Sequence, residues 1–151
     1  PFTDYKFVYK NNSGGTYLNV AGAAIGPKTI LGQSKPVVFS HSLNYVEANS
    51  QEEADFLSGL MNSAPIRAMI RAHSILNANP RAINEIGIPR FDSSNDSHLN
   101  IANLSRKARL ADNSDEKGDI EDSIDNAIAD LYGISDSELD TVYDYLEKTN
   151  V

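Results

Sequence analysis

Apolar residues in the stretch 50–63 recur at helical spacing, and this stretch divides the chain into two parts. Together with the residue that follows the stretch, its apolar residues have the i, i+3, i+4, i+7 spacing of one helix face: Ala54, Leu57, Leu60, Met61 and Ala64. Ser50 and Glu53 have the spacing of a capping box, which predicts the start of the helix. The pattern before this helix favours strands, and the pattern after it favours helices.

The first 47 residues contain short segments rich in β-forming residues, separated by Gly, Asn and Pro. These segments predict strands at 5–10, 16–21, 29–31, 35–40 and 43–47. Residues 11–15 form a strong turn signal, and residues 22–27 predict a further break. Because the strands are short and bounded by turns, we expect an antiparallel or mixed sheet over 3–47 rather than a βαβ arrangement.

The rest of the chain carries helical periodicity. It predicts helices at 51–63, 65–74, 80–86, 96–111, 118–132 and 136–148, with a polar linker at 113–118. Gly133 ends the fifth of these helices, and the short connection that follows implies an antiparallel pair. The predicted class is therefore α+β, with an N-terminal sheet followed by helices and a final antiparallel helix pair.

Charge is distributed unevenly along the chain, whose net charge is −8. Residues 1–111 hold eleven Lys/Arg and eight Asp/Glu, a net charge of +3, whereas residues 112–151 hold two and thirteen, a net charge of −11. We interpret this as a mixed β/α body over 1–111 and an acidic helical pair over 112–151. The acidic pair would repel DNA, so we expect it to pack on the body or to bind a protein partner, including a second copy of the chain.

Composition excludes several kinds of site. The chain has no cysteine, which excludes disulfides, thiolate zinc sites and cysteine nucleophiles and fits a cytoplasmic protein. Its three histidines are widely separated, which argues against a histidine-based metal site. No apolar run approaches the ~20 residues of a membrane span. Because the chain has neither a signal peptide nor an initiator Met, we expect it to be a piece of a longer protein.

Basic residues stand out in two places. Four lysines lie in the strand region, with Asp4 the only acid before residue 46: Lys6, Lys10, Lys28 and Lys35. They could contact phosphates and base edges, or they could protect a solvated sheet edge. Arg67 and Arg71 form an i, i+4 pair that could grip a phosphate or remain solvated. The basic residues 106–109 end a helix, where they suit the helix dipole.

Three segments resemble the C-terminal end of large adenine-N6 DNA methyltransferases of the Type IIG-like restriction–modification group. They are EEADFLSGLMNSAPI (52–66), IPRFDSSNDSHLNIANLSRKA (88–108) and IDNAIADLYGISDSEL (124–139). In that family this region is a target-recognition region, a β-rich module that reads DNA and is backed by helices. Residues 1–40 match no family segment, as expected if they carry target choice.

The resemblance implies a non-catalytic, DNA-binding specificity region whose partners are double-stranded DNA and the N-terminal catalytic domain of the same chain. The expected DNA contacts are Lys6, Lys10, Asn11, Asn12, Lys28, Lys35, Arg67 and Arg71. The Asn/Asp-Pro-Pro-Tyr/Phe signature of the methyltransferase is absent, so S-adenosylmethionine is expected in the catalytic domain and no cofactor in this chain. The alternatives are a protein-interaction or assembly module that uses the acidic helices, and an independent enzyme, for which no nucleophile motif is present.

Overall fold

A computed structural model describes residues 4–10, 21–40, 42–73 and 86–149 of the chain. It contains strands β1 (Tyr5–Lys10), β2 (Gly22–Ile25), β3 (Lys28–Ile30), β4 (Gln33–Lys35) and β5 (Leu43–Ala48). The helices are α1 (Gln51–Asn62), α2 (Ala64–His73), α3 (Asp96–Leu110), α4 (Ser114–Tyr132) and α5 (Asp136–Lys148). The predicted α+β class, with an antiparallel sheet first and helices after it, is confirmed. The predicted return strand at 16–21 and the helix at 80–86 lie almost entirely outside the described residues.

Strand β1 is the central strand of a three-stranded antiparallel sheet with the order β2–β1–β5. Phe7 and Tyr9 of β1 are buried in the main core, and their rings stack with centroids 5.8 Å apart. Helix α1 packs against β1 and β2. β1 and β5 were both predicted, because their β-forming residues are bounded by turn signals on either side.

Two predictions in the strand region are wrong. Residues 22–25 form β2 rather than a break, and Gly22 permits this because a Cβ there would lie 2.3 Å from Cζ of Phe7. The sheet therefore needs glycine at this position for close approach rather than for a turn. Residues 36–40 are not a strand, since β4 ends at Lys35 before Pro36, whose nitrogen has no hydrogen to donate to a ladder.

The structure corrects the predicted capping of α1 and the predicted start of α4. Ser50 Oγ accepts from the Glu53 amide at 3.1 Å, as predicted, but the Glu53 carboxylate accepts from the Asn49 amide at 2.6 Å rather than from Ser50. The Glu53 carboxylate thus bonds to the amide one residue before the one that a capping box would use. The predicted linker at 113–118 is also wrong: Asn113 caps α4 by accepting from the Glu116 amide at 2.8 Å, so the helix begins at Ser114.

The main core extends past the boundary predicted at residue 111. Phe7 of β1, Phe56 of α1, Ile101 of α3 and Ile128 of α4 are all fully buried in one cluster. Helix α4 therefore belongs to the same packed unit as the sheet, although its outer face is acidic.

Helix α5 packs against α2. Its Leu146 is buried in a second cluster with Ala64 and Ala68 of α2. The apolar side of α5 is thus packed within the chain. None of the helices in the described ranges has the length and hydrophobicity of a membrane span.

Candidate nucleic-acid interface

Strands β3 and β4 form a two-stranded antiparallel ribbon over residues 28–35, hereafter the basic ribbon. Its register pairs residues across the two strands as Lys28 with Lys35, Thr29 with Ser34, and Ile30 with Gln33. All eight residues are exposed. Because side chains alternate along a strand and cross-strand partners share a face, one face of the ribbon carries Lys28, Ile30, Gln33 and Lys35.

The ribbon turns at Leu31 and Gly32, whose φ angles are +51° and +75°. Two consecutive left-handed residues are typical of a type I′ hairpin turn, which matches the twist of the flanking strands. Glycine suits this backbone, but leucine seldom adopts it. Leu31 is the only non-glycine residue with positive φ in the described part of the chain, and its exposed fraction is 98%.

Lys28 and Lys35 lie directly opposite each other near the base of the ribbon. Like charges in this arrangement destabilise a strand pair. Neither lysine forms a salt bridge within the described residues. The sequence predicted that each lysine would contact DNA, but only the register shows that the two lysines form a cross-strand pair of positive charges.

The other predicted contacts in the sheet region have different positions. Lys6 is buried, with an exposed fraction of 2%, and its Nζ lies 5.9 Å from the centroid of the Tyr45 ring. Its side chain belongs to the sheet rather than to the surface, which does not favour the expected phosphate contact. Lys10 is exposed at the end of β1. Asn11 and Asn12 lie outside the described residues.

The arginines of α2 do not form the solvated pair that their spacing predicted. Arg71 is buried, and its Nη1 donates to the Leu146 carbonyl at 3.2 Å and to Thr149 Oγ1 at 2.8 Å. Arg71 therefore fastens α5 to α2, which corrects its predicted role as a phosphate contact. Arg67 is half-buried, and its Nε has no hydrogen-bond partner among the described residues.

The basic end of α3 holds a buried carboxylate. Asp55 of α1 is fully buried and accepts from Arg106 Nε at 3.0 Å and from Arg109 Nη2 at 3.1 Å. The position of the arginines in the last turn of α3 indicated only a helix-dipole effect, so their pairing with Asp55 was not predicted. The available signal was the position of Asp55 beside Ala54 and Phe56, in the part of α1 that is buried.

A second buried carboxylate joins three helices. Asp125 of α4 accepts a hydrogen bond from the backbone amide of Ala64, which is the first residue of α2, at 2.7 Å. It also accepts one from the hydroxyl of Tyr143 in α5 at 3.1 Å. The carboxylate therefore caps α2 from a distant part of the chain. Burial raises the pKa of Asp125, and the Ala64 and Tyr143 hydrogen bonds only partly oppose this. Burial and the nearby Asp125 charge raise the pKa of Tyr143.

A cleft of about 690 Å³ lies between β2, α1, α3 and α4. Three basic and three acidic residues line it: Arg67, Arg109, Lys117, Glu121, Asp122 and Asp125. These charges balance, so the cleft offers no net attraction to a polyanion. The basic ribbon differs in this respect, because its only charged residues are two lysines.

Residues of the segments 52–66, 88–108 and 124–139 hold the fold together. Asn62 accepts from the Gly22 amide at 3.0 Å and donates to the Gly22 carbonyl at 2.9 Å, which ties α1 to β2. His98 Nδ1 accepts from the Asp92 amide at 3.0 Å, and Gly133 ends α4 in the left-handed conformation. These segments therefore belong to the helical part of the fold, and the basic ribbon lies outside them.

Neither a metal site nor a relative identifies the interface. Within residues 4–10, 21–40, 42–73 and 86–149, no group of three or more His, Asp or Glu residues is placed to hold a metal ion. No protein-family model, curated protein or solved structure matches the chain.

Proposed function

We propose that this chain is a DNA target-recognition, or specificity, region of an adenine-N6 DNA methyltransferase of the Type IIG-like restriction–modification group. The observation that carries the proposal is the exposed Lys28–Lys35 pair on a two-stranded ribbon. A pair of like charges without a counter-charge favours an anionic partner, and phosphates supply most of the affinity of proteins for DNA. The resemblance of residues 52–66, 88–108 and 124–139 supports the family assignment.

The shape of the ribbon also supports duplex DNA as the partner. The major groove is about 12 Å wide and admits a two-stranded β-ribbon, whereas the minor groove is only about 6 Å wide. The lysines are near the base of the ribbon, where they would meet the phosphates at the groove edge. Thr29, Gln33 and Ser34 add polar side chains that can form hydrogen bonds with base edges.

In this proposal the chain itself is not catalytic. The N-terminal catalytic domain of the same protein would bind S-adenosylmethionine and transfer the methyl group, and the helices of this chain would attach the ribbon to that domain. Because such an enzyme modifies cellular DNA, we place it in the cytoplasm.

Salt-dependent binding tests the proposal. We would measure binding of the 151-residue chain to a fluorescent random-sequence duplex by anisotropy over a range of salt concentrations. Non-specific affinities of DNA-binding proteins are on the order of 10⁻⁴–10⁻⁶ M at physiological salt, so binding should be measurable, and tighter, at low salt. We expect the K28A/K35A double variant to reduce the salt slope by about two, because each phosphate contact contributes about one.

Lys148→Ala is the matched control, because Lys148 is an exposed lysine in the acidic part of the chain. We expect this variant to keep the native slope. Equal slopes for the native chain and the double variant would remove the basic ribbon as the DNA interface. Absence of salt-dependent binding by the native chain at low salt would contradict the function itself.

The parent reading frame gives an independent test. We expect the coding sequence upstream of Pro1 to encode an Asn-Pro-Pro-Tyr or Asn-Pro-Pro-Phe motif within an alternating β/α pattern. An upstream region that encodes an unrelated domain would contradict the assignment to this group of methyltransferases, whatever the chain binds.

A further inference from the structure

We propose that Leu31, at the tip of the basic ribbon, contacts the C5-methyl group of a thymine in the major groove. This inference rests on the proposed function and adds a base-reading residue to it. It names the chemical group on the DNA that Leu31 would contact, whereas the proposed function concerns only the affinity of the chain for DNA.

Leu31 has two properties that folding does not explain. Its side chain is 98% exposed, so it adds nothing to the core, and its φ of +51° is a conformation that leucine seldom adopts. Asparagine or glycine at this position would suit a type I′ turn better. An apolar side chain retained at some cost, at the most exposed point of a hairpin, is best explained by contact with a partner.

The length of the ribbon brings the tip to the base edges. From Lys28 to Leu31 the strand advances by three residues, or about 10 Å at 3.4 Å per residue. The major groove is about 8.5 Å deep. When Lys28 and Lys35 contact phosphates at the groove edge, Leu31 therefore reaches the groove floor.

The chemistry of the groove floor then selects the base. The base edges in the major groove present hydrogen-bond donors and acceptors, and the one apolar group among them is the C5-methyl of thymine. A leucine without polar atoms at the floor would leave a donor or acceptor unpaired if it faced any other base edge. Gln33 lies one residue beyond the turn on the lysine face, and its amide can pair with N6 and N7 of an adjacent adenine.

Deoxyuridine tests the contact directly, because it differs from thymidine only by lacking the methyl group. We would first select preferred duplexes from a random pool with the native chain, then synthesise the best duplex with either thymidine or deoxyuridine. Burial of one methyl group is worth about 0.8 kcal/mol, so we expect uridine to weaken native binding about fourfold.

The Leu31→Asn variant completes a double-substitution cycle. Asparagine tolerates positive φ, so the ribbon should keep its turn and the variant should fold. We expect it to bind the thymidine duplex about fourfold more weakly than the native chain and to make no distinction between the two duplexes. Val38→Asn, which changes another exposed apolar residue outside the ribbon, should keep the native preference for thymidine.

Each contrary outcome has a distinct meaning. The Leu31 contact is overturned if the Leu31→Asn variant keeps the full sensitivity to uridine, or if the selection enriches no thymine. In either case lysine-dependent DNA binding would still support the proposed function. Absence of salt-dependent binding by the native chain overturns both. We would also measure binding to phosphatidylserine–phosphatidylcholine vesicles, because Leu31-dependent binding to them, without thymine discrimination, would assign the ribbon tip to a membrane surface instead.

Discussion

The basic ribbon and the two buried carboxylates of the helical part, Asp55 and Asp125, place charged residues in opposite environments. Asp55 is fully buried and is paired with two arginines, and Asp125 joins α2, α4 and α5. In the ribbon, two lysines face each other in solvent, and neither forms a salt bridge with any residue that the structure describes. Paired buried charges hold elements together, whereas an exposed pair of like charges weakens its own element and is available to a partner.

The same residue types occur in both regions. Lys6 and Arg71 were expected to contact DNA, yet both are buried and belong to the fold. Lys28 and Lys35 were also expected to contact DNA, and both are exposed. Residue type and spacing therefore do not separate cations that belong to the fold from cations that are exposed to solvent, but the tertiary structure does.

The largest expected loss of stability comes from the Asp55 cluster. The R106A/R109A double variant leaves a fully buried carboxylate without its two ion-pair partners, a loss that costs about 3–5 kcal/mol when the whole pair is buried. Because the two arginine side chains are 37% and 41% exposed, solvent screening places the cost at the lower end, about 3 kcal/mol. We expect a loss of this size in the free energy of unfolding by urea. Lys107→Ala, in an exposed residue between the two arginines, is the control and should change it by less than about 0.5 kcal/mol. Equal stabilities for the two variants would show that Asp55 does not depend on this pairing.

The next largest loss of stability is expected where α5 packs against α2. Leu146→Ala removes a buried side chain that packs against Ala64 and Ala68, and we expect a loss of about 2–3 kcal/mol in thermal or urea unfolding. The neighbouring exposed residue gives a control, Glu147→Ala, which should leave stability nearly unchanged. DNA binding should persist in the folded Leu146→Ala protein. A loss of binding greater than the unfolded fraction explains would place part of the interface on α5.

Asp125 should give stability a pH dependence that asparagine removes. Because burial raises its pKa in the folded state above the unfolded value, the folded state binds the proton more tightly. The resulting stabilisation is fully present below the unfolded pKa and is lost as pH rises through the folded pKa. We would measure urea unfolding across the acidic range for the native chain and Asp125→Asn.

The native chain should lose stability relative to Asp125→Asn as pH rises through that window. A constant difference between the two proteins would show that Asp125 has the same proton affinity in the folded and unfolded chains. The opposite slope would show that the Ala64 and Tyr143 hydrogen bonds outweigh burial.

The smallest effect, and one of opposite sign, is expected in the ribbon. Leu31→Gly removes a side chain from a left-handed backbone position without removing a buried contact, so stability should stay level or rise by up to about 1 kcal/mol. Amide hydrogen exchange of residues 28–35 would measure this locally, with Val38→Gly as the control. Weaker protection of the ribbon in Leu31→Gly would mean that Leu31 stabilises its own turn, and it would remove the contrast between the two regions.

Local signals were sufficient to predict much of the helical part and part of the sheet. The spacing of Leu57, Leu60 and Met61 and the capping residue Ser50 predicted α1, because a helix repeats every 3.6 residues and its first amides need acceptors. Gly133 predicted the end of α4 for a similarly local reason. The ribbon was recognised only in part: Leu31 was assigned to a strand, since leucine gives no signal for a left-handed turn.

What the sequence alone determined is the α+β class, the position of most helices and the division of charge between 1–111 and 112–151. These depend on interactions between residues close in the chain or on composition. Only the tertiary structure decided which cations are buried, that Asp55 meets Arg106 and Arg109, and that Lys28 faces Lys35 across a ribbon. The reason is physical: burial and cross-strand register depend on residues brought together by packing, and neither is encoded in the spacing of a single segment.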